Sequence, residues 1–352
     1  MVLSVVTGVQ VPAVSFAAHL LGWPIAVGGA AALSLPYLYA LRSPFDDREK
    51  SPLLLYGALY PFFAWWVACL VFATLWPLAF LVWHSFGLPR DTVLGAAGAL
   101  GLVGGVLATW REPRVARVDV AIRGLPAALD GYRIAQISDI HCGSYTPAMR
   151  IAGWVARLNA LGADLIAVTG DLITSGDRHT DPVADVLGQL RARDGVYACM
   201  GNHDYFCDAE RFVRLLEARG LVVLRNRGIT LERVPLHVAG VDDTWTGRND
   251  TDLALSKRQP GIPTLLLAHD PNLFKGAAAH GVELTLSGHT HGGQLAISRR
   301  WTLARLITEF TAGLYSRGES QLYVNRGAGT TGPPVRLGAP AELTLLTLRK
   351  AA

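Results

Sequence analysis

The sequence predicts an α/β (α+β) protein in which two β-sheets form a sandwich flanked by helices, preceded by an N-terminal transmembrane α-helical region. Residues 1–41 contain no charged side chain, and residues 52–89 contain none apart from His84, which is normally neutral. Uncharged runs of roughly 20 residues are long enough to span a bilayer. After residue 110, strand-like and helix-like patterns alternate and then give way to a strand-rich half, which favours two packed sheets with helices outside. We therefore predict a helical region over 1–110 and a sandwich domain over 111–352.

The N-terminal region is predicted to cross a membrane four times, with five crossings as the alternative. The tripeptide Gly22-Trp23-Pro24 divides the first apolar run into two helices. The run from 53 to 88 is too long for one upright helix, so we favour a single helix that is tilted, or kinked near Pro61 or Pro77. The four predicted spans cover 3–20, 24–41, 53–88 and 93–110.

Basic residues in the loops predict which side of the membrane holds the second domain. The loop 42–51 contains Arg42, Arg48 and Lys50, and the segment after the last span is also basic from Arg111 onward. Four spans place these two basic segments on the same side, which predicts a multi-pass protein with a cytoplasmic second domain. A fifth span would reverse this orientation.

The second domain is predicted to alternate strands and helices as far as residue 219 and to be mostly strands after it. Thr146 is the predicted N-cap of its first helix, with Pro147 at the first helical position. Met149, Ile151 and Val155 are placed on the apolar face of that helix. The predicted strands cover 118–122, 132–137, 164–169, 196–200, 222–224, 229–233, 236–241, 264–268, 283–286, 321–324 and 342–348, and the predicted helices cover 147–161, 182–192, 208–219 and 271–280.

The cysteines and the charge balance narrow the class of protein. Cys69, Cys142, Cys199 and Cys207 lack any zinc-finger spacing, and we expect free thiols in a reducing compartment. Residues 111–352 carry 28 basic and 24 acidic groups. This excess is too small to predict nucleic-acid binding. It is compatible with an anionic substrate or an anionic membrane surface.

Five clusters of potential metal ligands follow short apolar runs in the second domain. They lie in the sequences Ser-Asp-Ile-His, Thr-Gly-Asp, Gly-Asn-His-Asp and Gly-His-Thr-His-Gly-Gly-Gln, and at a single histidine after an apolar run. This placement predicts strand ends, where an α/β fold gathers its functional groups. Carboxylate oxygen and imidazole nitrogen together suit Mn, Fe or Zn, and two divalent metals that share one carboxylate indicate hydrolysis of a phosphate ester. The candidate residues are Asp139, His141, Asp171, Asn202, His203, His269, His289 and His291.

Each cluster taken alone has a simpler explanation. Asp139 suits a helix cap, Asp171 after Gly170 suits a turn, and Asn202 suits a left-handed turn. His269 after an apolar strand is typical of a buried histidine with a structural hydrogen bond, and the last histidine pair suits a mononuclear site. The ordered combination of all five clusters favours a metal site over these separate explanations.

These motifs occur here in the order typical of the calcineurin-like metallophosphoesterase superfamily, which the chain resembles over about residues 115–352. Four further features narrow the resemblance to one branch of this superfamily. They are Leu125-Pro126, Asp130-Gly131, the Gly-Gly-Gln sequence that follows His291, and the segment 332–337. They are similar to the bacterial branch of membrane-associated phosphodiesterases, some of which act on lipid-linked sugar diphosphates.

The resemblance implies a division of the ligands between two metals. One metal would be held by Asp139, His141 and His291, and the other by Asn202, His269 and His289, with Asp171 as the bridge. His203 resembles the residue that donates a proton to the leaving group, and Asp204 would orient its imidazole; alternatively, His203 only supports Asn202. A metal-bound hydroxide would attack phosphorus between two cations about 3.5–4 Å apart.

We therefore predict a metal-dependent phosphoric ester hydrolase of the bacterial inner membrane, with the catalytic domain in the cytoplasm. It would act as a phosphodiesterase or pyrophosphohydrolase on a phosphate-ester substrate; lipid-linked esters, soluble nucleotides and phosphomonoesters are all candidates. The alternatives are a membrane transport or sensor protein with a regulatory metal-binding domain, and a scaffold with a defunct site. Arg299, Arg300, Arg305 and Arg317 surround apolar residues between Ile297 and Leu314, which indicates either a solvated face or a loop that faces substrate or membrane.

Overall fold

A computed structural model describes residues 7–41, 50–109, 112–298 and 300–351. The chain divides into two compact units, one containing most residues up to Arg111 and one containing most residues from Glu112 onward. The predicted boundary between 110 and 111 stays a prediction, because Trp110 and Arg111 lie outside the described residues. Arg42 and Arg48, used to predict the membrane orientation, also lie outside them.

The first unit contains a helix that overlaps each of the four predicted spans, although residues 3–6 of the first span lie outside the described residues. They are α1 (Val11–Leu21), α2 (Trp23–Leu41), α3 (Pro52–Phe86) and α4 (Arg90–Thr109). Gly22, with a φ of 86°, separates α1 from α2 as predicted. The run from 53 to 88 forms one long helix, which includes a π-helical turn at Leu55–Leu59 just before Pro61.

Helices α3 and α4 pack closely through glycine. A β-carbon added at Gly101 would lie 2.7 Å from the carbonyl oxygen of Ala68, and one at Gly105 would lie 2.1 Å from that of Ala64. Small residues four apart allow two helix backbones to approach in this way. By length and composition, α3 and α4 could each cross a membrane. Helix α1 (Val11–Leu21) and the apolar part of α2 (Trp23–Pro36) are shorter.

The second unit contains two six-stranded mixed sheets with helices packed on their outer faces. In the first sheet the strand order is β1-β12-β2-β3-β4-β5, and in the second it is β10-β11-β9-β8-β7-β6. The strands are β1 (Arg114–Ile122), β2 (Arg133–Ile137), β3 (Leu165–Thr169), β4 (Val196–Cys199), β5 (Val222–Val223), β6 (Arg227–Thr230), β7 (His237–Gly240), β8 (Thr264–Leu267), β9 (Leu284–Ser287), β10 (Gly313–Arg317), β11 (Ser320–Val324) and β12 (Glu342–Lys350). The helices are α5 (Ala148–Ala160), α6 (Thr180–Leu187), α7 (Ala209–Ala218), α8 (Thr251–Leu255) and α9 (Phe274–Ala279).

The sandwich is held by apolar layers on both sides of each sheet. Between the sheets, Leu165 and Ala167 of β3 share a buried cluster with Leu265 and Leu267 of β8. On the outer face of the first sheet, helices α5, α6 and α7 bury Trp154 and other side chains. Strands β2, β3, β4 and β5 are parallel, as are β7, β8 and β9. The two-sheet fold with flanking helices agrees with the fold class predicted from the sequence.

Several local predictions in this unit were wrong. Pro147, not Thr146, is the N-cap of α5. Met149 is 85% exposed, because it lies two residues from Ile151 and therefore points to the opposite side of the helix. Val222–Val223 pairs with β4 in the first sheet rather than with β6. Helix α8 and strand β10 were not predicted, since neither shows a clear apolar period.

The four cysteines are free, as predicted. Cys69, Cys142 and Cys199 are buried, and Cys207 is half-buried.

Candidate metal centre

The predicted ligands lie where strands of both sheets end. Asp139 and His141 follow β2, Asp171 follows β3, and Asn202 follows β4, three neighbouring parallel strands of the first sheet. His269 follows β8, and the histidine pair follows β9, two neighbouring parallel strands of the second sheet. Because parallel strands end at the same edge of a sheet, side chains that are far apart in sequence come together there.

Five of these residues adopt a left-handed backbone conformation that side chains rarely occupy. Their φ angles lie between 48° and 70°. Such a conformation costs on the order of 1–3 kcal/mol per residue and persists where the surrounding structure enforces it, commonly at functional sites. The five residues are Asp139, His141, Asp171, His289 and His291.

One group of side chains comes from the loops that follow β2, β3 and β9. Potential ligand atoms of Asp139, His141, Asp171 and His291 all lie within 4.8 Å of one another, and all four residues are buried. The two Nε2 atoms of His141 and His291 are 3.0 Å apart. Oδ1 of Asp139 lies 3.3 Å from Nε2 of His291. Ring nitrogens and carboxylate oxygens therefore converge on one small volume.

A second group shares Asp171 with the first. Potential ligand atoms of Asp171, His269 and His289 also lie within 4.8 Å of one another. The same oxygen, Oδ2 of Asp171, is 3.5 Å from Nε2 of His141 and 3.3 Å from Nε2 of His269. Nδ1 of His289 lies 3.3 Å from Nε2 of His269. One carboxylate thus lies between two clusters of imidazole nitrogens, and a carboxylate can bind two cations at once.

Asn202, which follows β4, has an amide oxygen that lacks a hydrogen bond. Its Oδ1 is buried and has no partner among the described residues. The preceding residue, Gly201, lies against Asp171, since a β-carbon on Gly201 would be 2.3 Å from Oδ1 of Asp171. An unsatisfied buried oxygen costs roughly 1–3 kcal/mol, and a cation would satisfy this one. The donor set of carboxylates, imidazoles and one amide fits two divalent cations.

Burial and charge set the protonation states of the clustered histidines and carboxylates. Burial lowers the pKa of His141 to about 3, so its ring is neutral at neutral pH and offers a lone pair. Burial raises the pKa of the Asp139 carboxyl to about 6. Burial also opposes protonation of His269, but the Asp171 carboxylate beside it raises the pKa of His269 to about 10. The buried carboxylates therefore require positive charge, either as a proton on His269 or as bound cations.

His203 lies beside this cluster with one ring nitrogen already bonded. Its Nδ1 donates to the carbonyl oxygen of Thr174 at 2.7 Å, which leaves Nε2 as the nitrogen that can reach a substrate. The ring stands edge-on to His141 at 4.6 Å and to Phe206 at 5.0 Å. Its backbone N–H donates to Oδ1 of Asp171 at 2.9 Å. His203 is thus oriented toward the cluster from the β4 side.

Asp204 does not orient His203, which corrects the prediction for this residue. Its carboxylate instead accepts four backbone N–H groups at 2.7–3.3 Å. The orienting contact comes from Thr174, which no sequence motif indicated. Burial raises the pKa of the Asp204 carboxyl to about 7. Asp204 therefore joins the loop after β3 to the loop after β4, and the four donors are Asp171, Leu172, Ile173 and Gly201.

Two further residues lie against the predicted ligands without having been assigned a role from the sequence. The buried guanidinium of Arg336 donates to Nδ1 of His291 at 3.2 Å and to the carbonyl oxygens of Gly327 and Gly329. Trp245, which is 67% exposed, places its ring 5.6 Å from that of His289. No pattern near either residue links it to a histidine more than 40 positions away.

Comparisons with known proteins identify the family. The sequence-family model described as calcineurin-like phosphoesterase matches residues 132–293 of this chain. The uncharacterized metallophosphoesterase YkuE of Bacillus subtilis is 33% identical over 269 residues, which cover 72% of this chain and 93% of that protein. A transmembrane protein with metallophosphoesterase domain from Danio rerio is 33% identical over 279 residues, 74% of this chain and 63% of that protein.

A solved dimetal phosphatase structure from Danio rerio aligns with a TM-score of 0.39 at 13% identity, over 58% of this chain and 90% of that chain. The present chain spans 63% and 60% of the length of the Danio rerio and Bos taurus transmembrane relatives. The similarity to YkuE extends over nearly the whole of that protein, and the family match contains all seven predicted ligands. The family match and the similarity to YkuE confirm the resemblance to the calcineurin-like superfamily and support the predicted metal-dependent phosphoester hydrolase. This chain belongs to the calcineurin-like phosphoesterase family.

Proposed function

We propose that this chain is a dinuclear-metal phosphoesterase that hydrolyses a phosphodiester or pyrophosphate bond. The observation that carries the proposal is the position of Asp171, whose Oδ2 atom contacts a histidine of each cluster at 3.5 Å and 3.3 Å. Asp139, His141 and His291 would hold one cation, and Asn202, His269 and His289 the other. The identity of the metal follows from the donor set only as far as Mn, Fe or Zn.

Divalent cations held by these residues would act as Lewis acids, lowering the pKa of water and offsetting negative charge on the phosphoryl oxygens. The protein would fix the position of both cations before substrate arrives, because every predicted ligand follows a strand end. Asp204 supports this arrangement through its four backbone hydrogen bonds. Preorganised charge of this kind is commonly the largest contribution to catalysis.

His203 is the proposed proton donor to the leaving oxygen. With Nδ1 donating to Thr174, Nε2 of the imidazolium would carry the proton that is transferred. A positioned acid of this kind contributes roughly 10²–10⁴-fold to a rate. Because His203 bonds to Asp171 only through its backbone N–H, loss of its side chain leaves the ligand set in place.

The experiment compares His203→Ala with the wild-type full-length chain on bis(p-nitrophenyl) phosphate in the presence of Mn²⁺. We expect the variant to retain the wild-type metal content by elemental analysis and to lose roughly 10²–10⁴-fold in kcat. His280→Ala is the matched control, because His280 pairs with Asp252 at the surface outside the metal centre. A metal-replete His203→Ala enzyme with the wild-type rate would remove His203 from the mechanism.

We propose further that the enzyme is anchored in the bacterial inner membrane by its N-terminal helices, with the catalytic domain in the cytoplasm and a lipid-linked phosphate ester as substrate. The length and apolarity of α3 and α4 support an anchor, as do the relatives named as transmembrane proteins. Four free cysteines suit a reducing compartment. Parallel assays of the purified protein on lipid pyrophosphates and on soluble diesters test the substrate, and equal activity on both would refute a lipid preference.

A further inference from the structure

A cluster of exposed apolar side chains follows the last predicted metal ligand. Residues 296–307, called here the rim segment, begin five positions after His291. Five large apolar side chains in this segment are between 63% and 90% exposed. An exposed apolar patch on a folded domain commonly marks a binding surface. The five residues are Ile297, Trp301, Leu303, Leu306 and Ile307.

The described residues of the rim segment, which leave out Arg299, are held in this conformation by their own hydrogen bonds. The backbone N–H of Ile297 donates to the carbonyl oxygen of Trp301 at 2.9 Å, and that of Trp301 donates to Ser298 at 3.1 Å. Leu303–Leu306 forms a 3-10 turn capped by Thr302. Ala304 is buried below the turn. The apolar side chains are therefore presented outward by a defined backbone.

The segment is joined directly to the loop that carries His291. Oγ1 of Thr302 donates to the carbonyl oxygen of Gly292 at 3.0 Å. A β-carbon on Gly293 would lie 1.7 Å from the same hydroxyl oxygen, so the two pieces of backbone are in close contact. Whatever the rim segment binds is consequently brought close to the metal centre.

The charge of the segment indicates what kind of surface it binds. Residues 296–308 include Arg299, Arg300 and Arg305 and contain no aspartate or glutamate. Arg300 and Arg305 are exposed, while Arg299 lies outside the described residues. The nearest acidic residue that follows, Glu309, pairs with Lys275 at 2.6 Å. Exposed apolar and aromatic side chains beside arginine, without acidic residues, are typical of segments that lie in an anionic bilayer interface.

We propose that the rim segment inserts Trp301, Leu306 and Ile307 into the interface of an anionic bilayer. The bilayer is favoured over a protein partner because the same chain contains two helices with the length and composition to span one. Tryptophan is enriched at the depth of the headgroups. This inference rests on the membrane association proposed above and does not depend on the hydrolytic chemistry. It would hold the metal centre at the level of lipid headgroups.

The test measures the depth of single nitroxide labels by electron paramagnetic resonance on the full-length chain in nanodiscs. Labels are attached at Leu306→Cys and, as a second reporter, at Ile297→Cys, in a Cys207→Ser background, because the other three cysteines are buried. Nanodiscs of phosphatidylcholine with phosphatidylglycerol are compared with phosphatidylcholine alone. Met149→Cys is the control, since Met149 is apolar and 85% exposed on a different element, and Leu78→Cys on α3 reports the anchor.

We expect the Leu306 and Ile297 labels to be accessible to oxygen but protected from a water-soluble nickel chelate, at a depth of roughly 5–10 Å in the anionic nanodiscs. The Met149 label should stay accessible to the chelate. Replacing both Arg300 and Arg305 by glutamine should make the Leu306 label shallower in anionic nanodiscs, with little change in neutral ones, since each arginine near an anionic surface favours binding.

Two results would overturn the proposal. Full exposure of both rim labels to the chelate would show that the segment lies in water, and protection from both chelate and oxygen would show contact with protein. The Leu78 label separates the two proposals: if it is aqueous, the anchor is wrong, while the rim labels still decide the inference by themselves. A deep Leu78 label with aqueous rim labels would refute only the inference.

Discussion

Gly201 is where the geometry of the centre is most sensitive to a single added carbon. The backbone of Gly201 is extended, with a φ of −104°, so alanine suits its conformation. The added β-carbon would nevertheless lie 2.3 Å from Oδ1 and 2.5 Å from the backbone nitrogen of Asp171. Ordinary contact begins at 3.4 Å, so the loops after β3 and β4 would have to separate by about 1.1 Å. Asn202 would move away from the carboxylate that the two clusters share.

We expect Gly201→Ala to lose metal and to lower kcat/KM by roughly 10²-fold, which is the scale reported for a misplacement of about 1 Å. The steric strain should also destabilise the domain by about 1–3 kcal/mol. Elemental analysis and hydrolysis of bis(p-nitrophenyl) phosphate with Mn²⁺ measure the two effects. Circular dichroism would show that the variant is folded.

Gly153→Ala provides a control with the opposite expectation. Gly153 lies inside helix α5 and has open space around its α-carbon. Alanine there should stabilise the helix by about 0.5–1 kcal/mol and leave metal content and rate unchanged. If Gly201→Ala kept the wild-type metal content and rate, close contact between the loops after β3 and β4 would not be required for the site.

Two other substitutions test the residues that support the ligands. Arg336→Met should lower metal affinity by roughly 10–100-fold, because partners of metal-binding histidines have effects of this size. Competition with a fluorescent chelator measures the affinity, and Arg349→Met is the surface control. Equal metal affinities of the two variants would contradict the role of the contact between Arg336 and His291. Asp204→Asn should destabilise the domain by roughly 2–6 kcal/mol, since an amide group would face two of the four backbone N–H donors at about 1–3 kcal/mol each. Calorimetry should show a lower melting temperature than for the exposed Asp119→Asn, and equal melting temperatures would refute the role of these hydrogen bonds.

The clustering of the predicted ligands could be expected from the sequence, because it depends on local sequence and on one property of the fold. Asp139 and Asp171 each follow a run of buried apolar residues, which marks the end of a strand. Parallel strands end together, so the pattern along the chain predicts proximity in space. The left-handed backbone of His289 and His291 also agrees with the glycines on either side of them, which allow close approach of neighbouring chains.

Contacts between distant segments were not predictable in this way. Thr174 orients His203 through a backbone carbonyl oxygen, and any residue type supplies such an oxygen. Arg336 reaches His291 across 45 positions, and no periodic pattern encodes that distance. The assignment of Asp204 to His203 was wrong because adjacency in sequence does not require adjacent side chains to point toward each other.

Strand pairing was likewise only partly predictable. Val222–Val223 was recognised as a strand, but two residues carry too little pattern to show which sheet they join. Its pairing with β4 places it at the edge of the first sheet. Met149 shows the same limit within a helix, where an apolar residue out of phase with its neighbours is exposed.

The amount of metal bound per chain tests the central claim most directly. If Asp171 holds two cations together, the purified full-length protein should bind two transition-metal ions per chain, and Asp171→Ala should bind fewer and lose hydrolytic activity. Elemental analysis of both proteins after the same exposure to Mn²⁺ and gel filtration measures this. A wild-type chain with no bound metal, or an Asp171→Ala variant that still binds two ions, would contradict a centre built around this carboxylate.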